Sequence, residues 1–425
     1  MEPYTAALIL AACAAGSAAG CLTGLFPGIH VNTLASLALA AYPAAEPLLS
    51  SLGGPQCAPL AASSFLVSAA VTHSFLDFVP SVFLGAPGPD EAMSVLPGHR
   101  LLMEGRGMAA VRAAAAGSLI GSAAAVALAV PFRLLMAGGM EGVVSSLTAS
   151  VVLFTVLATL ICGRGLRRAA WAAALMGTSG LLGIACMSGG IPSGGALGEG
   201  TLLFPLLSGL FGMPALLSPK KGARTPPQRD EPGGPSAAAP GLKGVLVGCV
   251  AGWYPGVTAT SGAALASTVS PERSPEGFIA LTASIGTVTA VFSLVALSVS
   301  GSGRSGVAMA VRDIAGAEAL SSDAGWLCAM LACVAVSSAI GYAATIAAGR
   351  AMSRMASGAD ASKANRCAAA IVASLVLLLT GPWGLAVLAV ATVVGSVPQA
   401  AGVDRVPLAG CLLVPVLLSC LGASV

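Results

Sequence analysis

The sequence predicts an all-α, polytopic membrane protein of about ten to twelve crossings, built as two repeat halves with broken or re-entrant helices. Three observations predict it. The 425-residue chain is 56% hydrophobic and only 9% charged, with a mean hydropathy of +0.90, whereas soluble domains carry roughly 25% charged residues. Apolar runs of about 20 residues, the length that crosses a bilayer, recur along the whole chain. A polar, Pro- and Gly-rich stretch separates two halves that carry the same glycine–proline frame. A β-barrel would show short segments of alternating polarity, and these runs are continuous; helices satisfy the backbone in lipid.

In chain order, the first half (1–217) offers apolar runs at 5–26, 58–84, 109–136, 143–162, 169–187 and 200–217. The second half (242–425) offers 242–269 with an interruption, then 276–300, 325–349, 367–380, 383–397 and 403–423. The first run lacks a basic flank and is longer than a signal-peptide core, so it is read as a membrane span and not a cleaved leader. Between the halves, 218–241 begins "SPKKGARTPPQRDEPGGPSAAAP", the composition of a flexible connector. Lys220, Lys221, Arg224 and Arg229 assign it to the cytoplasmic side, and the loops with Arg100, Arg106 and Arg112, and with Arg164, Arg167 and Arg168, fit the same side if 109–136 and 143–162 form a hairpin. In the second half, the loop with Arg350, Arg354, Lys363 and Arg366 competes with that holding Arg304 and Arg312. The expected location is the cytoplasmic (inner) membrane, crossed many times among its lipids.

The repeat is carried by "GCLTGLFPGIHVNT" (20–33) and "GCVAGWYPGVTATS" (248–261). A shift of 228 residues aligns Gly20 with Gly248, Gly24 with Gly252, Pro27 with Pro255, Gly28 with Gly256 and Thr33 with Ser261. Proline has no amide hydrogen and favours a first helical turn, so Pro27-Gly28 ends one helix and starts another. A helix start presents unpaired N–H groups with partial positive charge, which bind an anion without Lys or Arg. The candidate substrate-binding residues are therefore Pro27, Gly28, His30, Asn32 and Thr33, with Pro255, Gly256, Thr258, Thr260 and Ser261. The expected ligand is a small organic anion, most simply a carboxylate. Interrupted segments at matching positions of two halves point to a secondary transporter. The competing reading, two Pro kinks at GxxxG contacts, does not call for the hydroxyls and imidazole that follow.

His73 and Asp77 stand four apart, on one helix face, inside an apolar run. Ionisable groups at membrane depth are costly, so the pair is the candidate for coupling to Na+ or H+; a position at the interface is the bland alternative. Asp90, Glu91, His99, Arg100, Glu104 and Arg106 read as a solvated loop with two Pro-Gly pairs. The stretch 187–205, with Glu199 as its only charge, reads as a turn. "GSGRSG" (301–306) fits GxGxxG but follows no strand, which argues against a dinucleotide. With no Walker motif, HExxH or CxxC, neither a catalytic site, a metal nor a cofactor is expected, and the 11 Cys read as packing residues. The net charge of +3 is too small and dispersed to suggest nucleic acid.

The frame Gly20-x-x-x-Gly24-x-x-Pro27-Gly28, its second-half copy and the "PGP…LPGH…EGRGMAA" segment from Pro87 to Ala110 resemble the large membrane subunit of tripartite tricarboxylate transporters, the TctA-type permeases. Pro87-Gly88-Pro89 lacks the Thr of that family's PGTP segment, and Leu96-Pro97-Gly98-His99 stands where DGYP is expected, the marks of a divergent branch. The resemblance implies uptake of di- or tricarboxylates such as citrate, driven by an ion or proton gradient, with a small membrane subunit and an extracytoplasmic binding protein as partners. The residues alone leave open translocation of a lipid-linked phosphate, which helix termini also suit. They leave open, too, a non-transporting scaffold or lipid enzyme using the polar loop at 90–106.

Overall fold

The computed structural model describes residues 3–26, 29–84, 94–161, 165–196, 198–199, 202–217, 224–230, 236–254, 257, 259–260, 262–263, 266, 270–301, 303, 305–316, 320, 324–358, 361–403 and 405–423. Among these, seven helices are long and apolar enough to cross a membrane, and four shorter apolar helices accompany them. The β structure described is a two-residue ladder, Gly194–Gly195 against Gly198–Glu199.

Glycine seams hold the first helices together. In the first half α1 (Pro3–Leu25) lies on α3 (Cys57–Leu76), with α2 (Val31–Gly53) between them in sequence. A Cβ added at Gly16, Gly20 or Gly24 would come within 2.1, 2.4 or 2.9 Å of the carbonyl oxygens of Phe65, Ala69 and His73. Such backbone approach is how small residues drive helix association in lipid. The second half repeats the seam. There α12 (Ala238–Trp253) lies on the helix Pro275–Ser300, here α13, through Gly244, Gly248 and Gly252. Gly24 packs on His73 and Leu76, and Gly252 on Thr289 and Phe292. These partners stand 216 positions apart and not 228, because the chain joining the two helices is 12 residues shorter in the second half.

Two bodies result, each drawn from both halves of the sequence. In the first, α4 (Phe78–Leu84) continues α3 past Asp77, and α5 (Val95–Met103) leads into α6 (Gly107–Leu135). Helix α6 packs on α13; α14 (Gly306–Ala315) packs on α2 and α3; α15 (Ala324–Ala356) packs on α3 and α6. Leu66, Phe75, Val288, Phe292 and Met330 are completely buried in the shared core. The chain leaves this body through a π turn, Met136–Met140, where Gly139 takes φ 115°, and through α7 (Glu141–Ser146).

The second body comprises α8 (Thr148–Ile161), α9 (Leu166–Met187), α10 (Leu203–Leu207), α11 (Met213–Leu217), α16 (Ala361–Ala401) and α17 (Gly410–Cys420). Leu206, Leu210, Phe211, Leu408 and Cys411 form its core. The 367–380 and 383–397 runs belong to one helical stretch broken at Gly381 (φ 68°, ψ −165°), just before Pro382. The Gly-rich turn after α9 docks on that break, since a Cβ at Gly195 would lie 2.3 Å from the Leu378 carbonyl oxygen. Contact between the bodies runs chiefly through α4 and α16.

Two sequence readings change. Helix α2 was not among the apolar runs, because Pro43, Glu46 and Pro47 interrupt it. The connector is not loose throughout: the Arg229 amide donates to the Gly105 carbonyl at 2.8 Å and the Gly358 amide to the Thr225 carbonyl at 3.1 Å. Gln228 accepts from the Gly107 amide and donates to the Leu102 carbonyl, both at 2.9 Å. Residues 224–230 thus strap the start of α6 to the end of α15.

Candidate transport cavity

A cavity of ≈ 600 Å³ lies between the two bodies. Phe26 and Ile29 on one side, and Tyr254 and Val257 on the other, line it, so the flanks of both glycine–proline interruptions face one space. Pro27, Gly28, Pro255, Gly256, Thr258 and Ser261 lie outside the described residues. The wall from the second body is mainly apolar, with Met187, Leu207, Met213, Leu412 and Val416, and carries Ser208 as a polar group.

Polar groups concentrate on the first body. Extended backbone at His30 (φ −83°, ψ 148°) makes it the N-cap of α2, and its Nδ1 accepts the Asn32 amide hydrogen at 3.2 Å. Asn32, Thr33 and Ser36 then follow along the wall. A second helix start faces them. Ser305 caps α14 by accepting the Ala308 amide hydrogen at 3.2 Å, and a Cβ on Gly306 would lie 2.8 Å from the Asn32 side chain. The "GSGRSG" segment, discounted as a nucleotide loop, therefore supplies the helix start that meets Asn32. Thr260 is 1% exposed and is not among the described lining residues; Ala259 and Ala263 beside it pack on Leu281 and Ile285.

His73 is 8% exposed, in the cavity wall, with Nδ1 3.0 Å from the Thr23 hydroxyl oxygen. Its ring centroid lies 5.3 Å from that of His30 at a 58° tilt. Asp77, one turn on at the α3–α4 junction, lines the same wall, as the shared helix face predicts. Thr289 and Ser293 of α13 also line the cavity, at the repeat positions of His73 and Asp77. Sequence reading missed both; the 216-residue offset of the second helix pair would have found them. Among the described lining residues the titratable groups are His30, His73, Asp77 and Tyr254, with no Lys or Arg. Positive potential there comes from the amides at the starts of α2 and α14. No group of three or more His, Cys, Asp and Glu side chains among the described residues could hold a metal ion.

The charged loop residues sit elsewhere. His99 and Arg100 are exposed, Arg100 pairs with Glu104 at 3.0 Å, and Arg106 reaches Glu276 at 2.6 Å. Asp230 bridges Arg112 and Arg350, the latter at 3.0 Å. Asp90 and Glu91 lie outside the described residues.

A many-helix membrane protein with a cavity between its helices, more polar on one body than on the other, has the architecture of the transport permeases. The particular family follows from comparison. The model of the tripartite tricarboxylate transporter TctA family matches residues 10–410, and the chain belongs to that family. It is also 29% identical, over 304 residues and 70% of each chain, to an uncharacterized protein of Methanocaldococcus jannaschii. No solved structure matches the chain.

Proposed function

We propose that the protein is a secondary permease that moves a small di- or tricarboxylate across the cytoplasmic membrane, using a proton or Na+ gradient. One observation carries this reading: two capped helix starts, at His30 and Ser305, meet at Asn32–Gly306 in the wall of a ≈ 600 Å³ cavity. Two such starts offer an anion amides and hydroxyls without a fixed cation, so the site also releases what it binds. Asn32, Thr33 and Ser305 orient carboxylate oxygens, the backbone at Pro27-Gly28 and Pro255-Gly256 contributes further amides, and His73 with Asp77 carries the coupling ion. The repeat halves 1–217 and 242–425 supply these parts in pairs, joined by 218–241.

Arg350 meets the connector's Asp230 beside Arg112, so the end of α15 shares a side with the basic loop near α6. That shared positive charge supports a cytoplasmic placement of this face. The family's tripartite description supports a small membrane subunit and an extracytoplasmic binding protein as partners. The cavity weighs against a scaffold, and its modest volume against a lipid-linked phosphate.

The test is uptake of labelled citrate, succinate and related di- and tricarboxylates into proteoliposomes holding the chain with its neighbouring subunits. Gradient-dependent accumulation supports the reading. Failure with every carboxylate, or stabilisation by a polyprenyl phosphate alone, overturns it.

A further inference from the structure

The two histidines of the cavity are not equivalent, and their hydrogen bonds say how. His30 accepts the Asn32 amide hydrogen through Nδ1 at 3.2 Å, so that nitrogen keeps its lone pair and the neutral ring carries its proton on Nε2. The Thr23 hydroxyl stands 3.2 Å from the Gly20 carbonyl oxygen, which can only accept; its single proton goes there. Thr23 therefore accepts from His73, whose neutral ring carries its proton on Nδ1, 3.0 Å away. Nε2 of His73 is left as a bare acceptor in the cavity wall, with no hydrogen-bond partner among the described residues, on a side chain only 8% exposed.

We infer that His73 Nε2 takes up a proton from cavity water when the anion binds, which makes the coupling ion a proton and His73 its carrier. The inference rests on the anion site proposed above. The new N–H bond forms without disturbing either existing hydrogen bond, because the imidazolium still donates from Nδ1 to Thr23. Protonating His30 instead would put a hydrogen on the nitrogen that caps α2, breaking the cap and adding positive charge at the positive end of a helix. A second proton on the pair would also set two like charges 5.3 Å apart, so the pair holds one.

The polar and titratable groups that share the cavity or the packing around His73 bear on its charge. Helix α1 presents Thr23; the segment before α2, His30; the α3–α4 junction, Asp77; the end of α12, Tyr254. Helix α13 presents Thr289 and Ser293, and the start of α14 presents Ser305. Helix α15 brings Ser337 and Gly341 to α3, neither of which titrates. Arg304 lies outside the described residues. With two positive helix ends nearby, an imidazolium in the unfilled cavity has Asp77 as its single described counter-charge. A bound carboxylate adds the second, so anion and proton favour each other's binding reciprocally.

Calorimetric titration of the purified chain with citrate and with succinate, in buffers of different ionisation enthalpy, reads the protons taken up per anion bound. His73→Asn is the informative variant, since its amide nitrogen replaces Nδ1 toward Thr23 while nothing replaces Nε2; it also subtracts protons taken up by the anion itself. Proton uptake in the native chain, lost in His73→Asn while the anion still binds, is the expected result. Binding with equal proton uptake in native and His73→Asn proteins, or with none in either, overturns the proton assignment and leaves the anion site standing. Binding of neither acid to the native chain overturns the anion site and this inference with it.

Discussion

His30 shows how one side chain can serve fold and site together. Its imidazole caps α2 where Ser, Thr, Asp or Asn is usual, so His30→Ala should lower unfolding stability by about 0.5–2 kcal/mol while His30→Asn restores it, as thermal or denaturant unfolding in detergent will read. Asn32 and Ser305 are argued to donate to a charged ligand. Replacing either by Ala should weaken anion binding by about 1.5–3 kcal/mol, roughly 10- to 150-fold; unfolding should change little for Asn32→Ala, whereas Ser305→Ala also loses the α14 cap, at about 0.5–2 kcal/mol. Five of the candidate positions, His30, Asn32, Thr33, His73 and Asp77, were legible because polar groups stand out in an apolar run, and the structure places all five on the cavity. Ser293 was silent for a physical reason. A Ser or Thr in a membrane helix commonly bonds its own backbone, as Ser293 does to the Ala290 carbonyl at 2.7 Å, so its presence carries no signal about what lies beside it.

At the scale of elements, the glycine seams and the strap do most to order the helices. The GxxxG frame was readable by a 228-residue shift, but its packing partners were not, because the partner helices follow a different offset. Gly20→Leu should prise α1 from α3 and cost about 1–3 kcal/mol or more, with Gly248→Leu equivalent at the α12–α13 seam; unequal losses would argue that only one seam is structural. The strap depends on pH. The Arg112 guanidinium that hydrogen-bonds Asp230, joined by Arg350, holds its carboxyl below the usual carboxylate range. A carboxyl so lowered adds stability at neutral pH, and that stability disappears as acidification protonates it. Because Asp230 is over a third exposed, the contribution is small. Unfolding of native and Asp230→Asn proteins should therefore differ modestly at pH 7 and converge in acid. A gap that persists in acid would show that the strap works through its backbone hydrogen bonds instead.

Across the whole molecule, the membrane class was plain from composition, since hydropathy and charge report the solvent a chain is built for. The division into two bodies was hidden, because each draws helices from both ends of the chain and the border follows packing and not sequence. The cavity lies along that border, and contact across it runs chiefly through α4 and α16, which suits relative movement. Spin labels at the exposed Leu48 of α2 and Leu166 of α9 should report a distance distribution that changes when a bound carboxylate is added. A pair within the first body, Leu48 with Met355 of α15, should not change. Equal changes in both pairs would mean that the bodies do not move as units.

The central claim is that an organic anion sits where the starts of α2 and α14 meet. In a variant stripped of its 11 native cysteines, Asn32→Cys and Ser305→Cys can each be labelled with a small thiol reagent, with and without the carboxylate that the protein carries. The account predicts that the anion slows labelling at both positions and leaves an exposed control such as Val393→Cys unaffected. Equal labelling at both positions, with and without an anion shown to be transported, would contradict it.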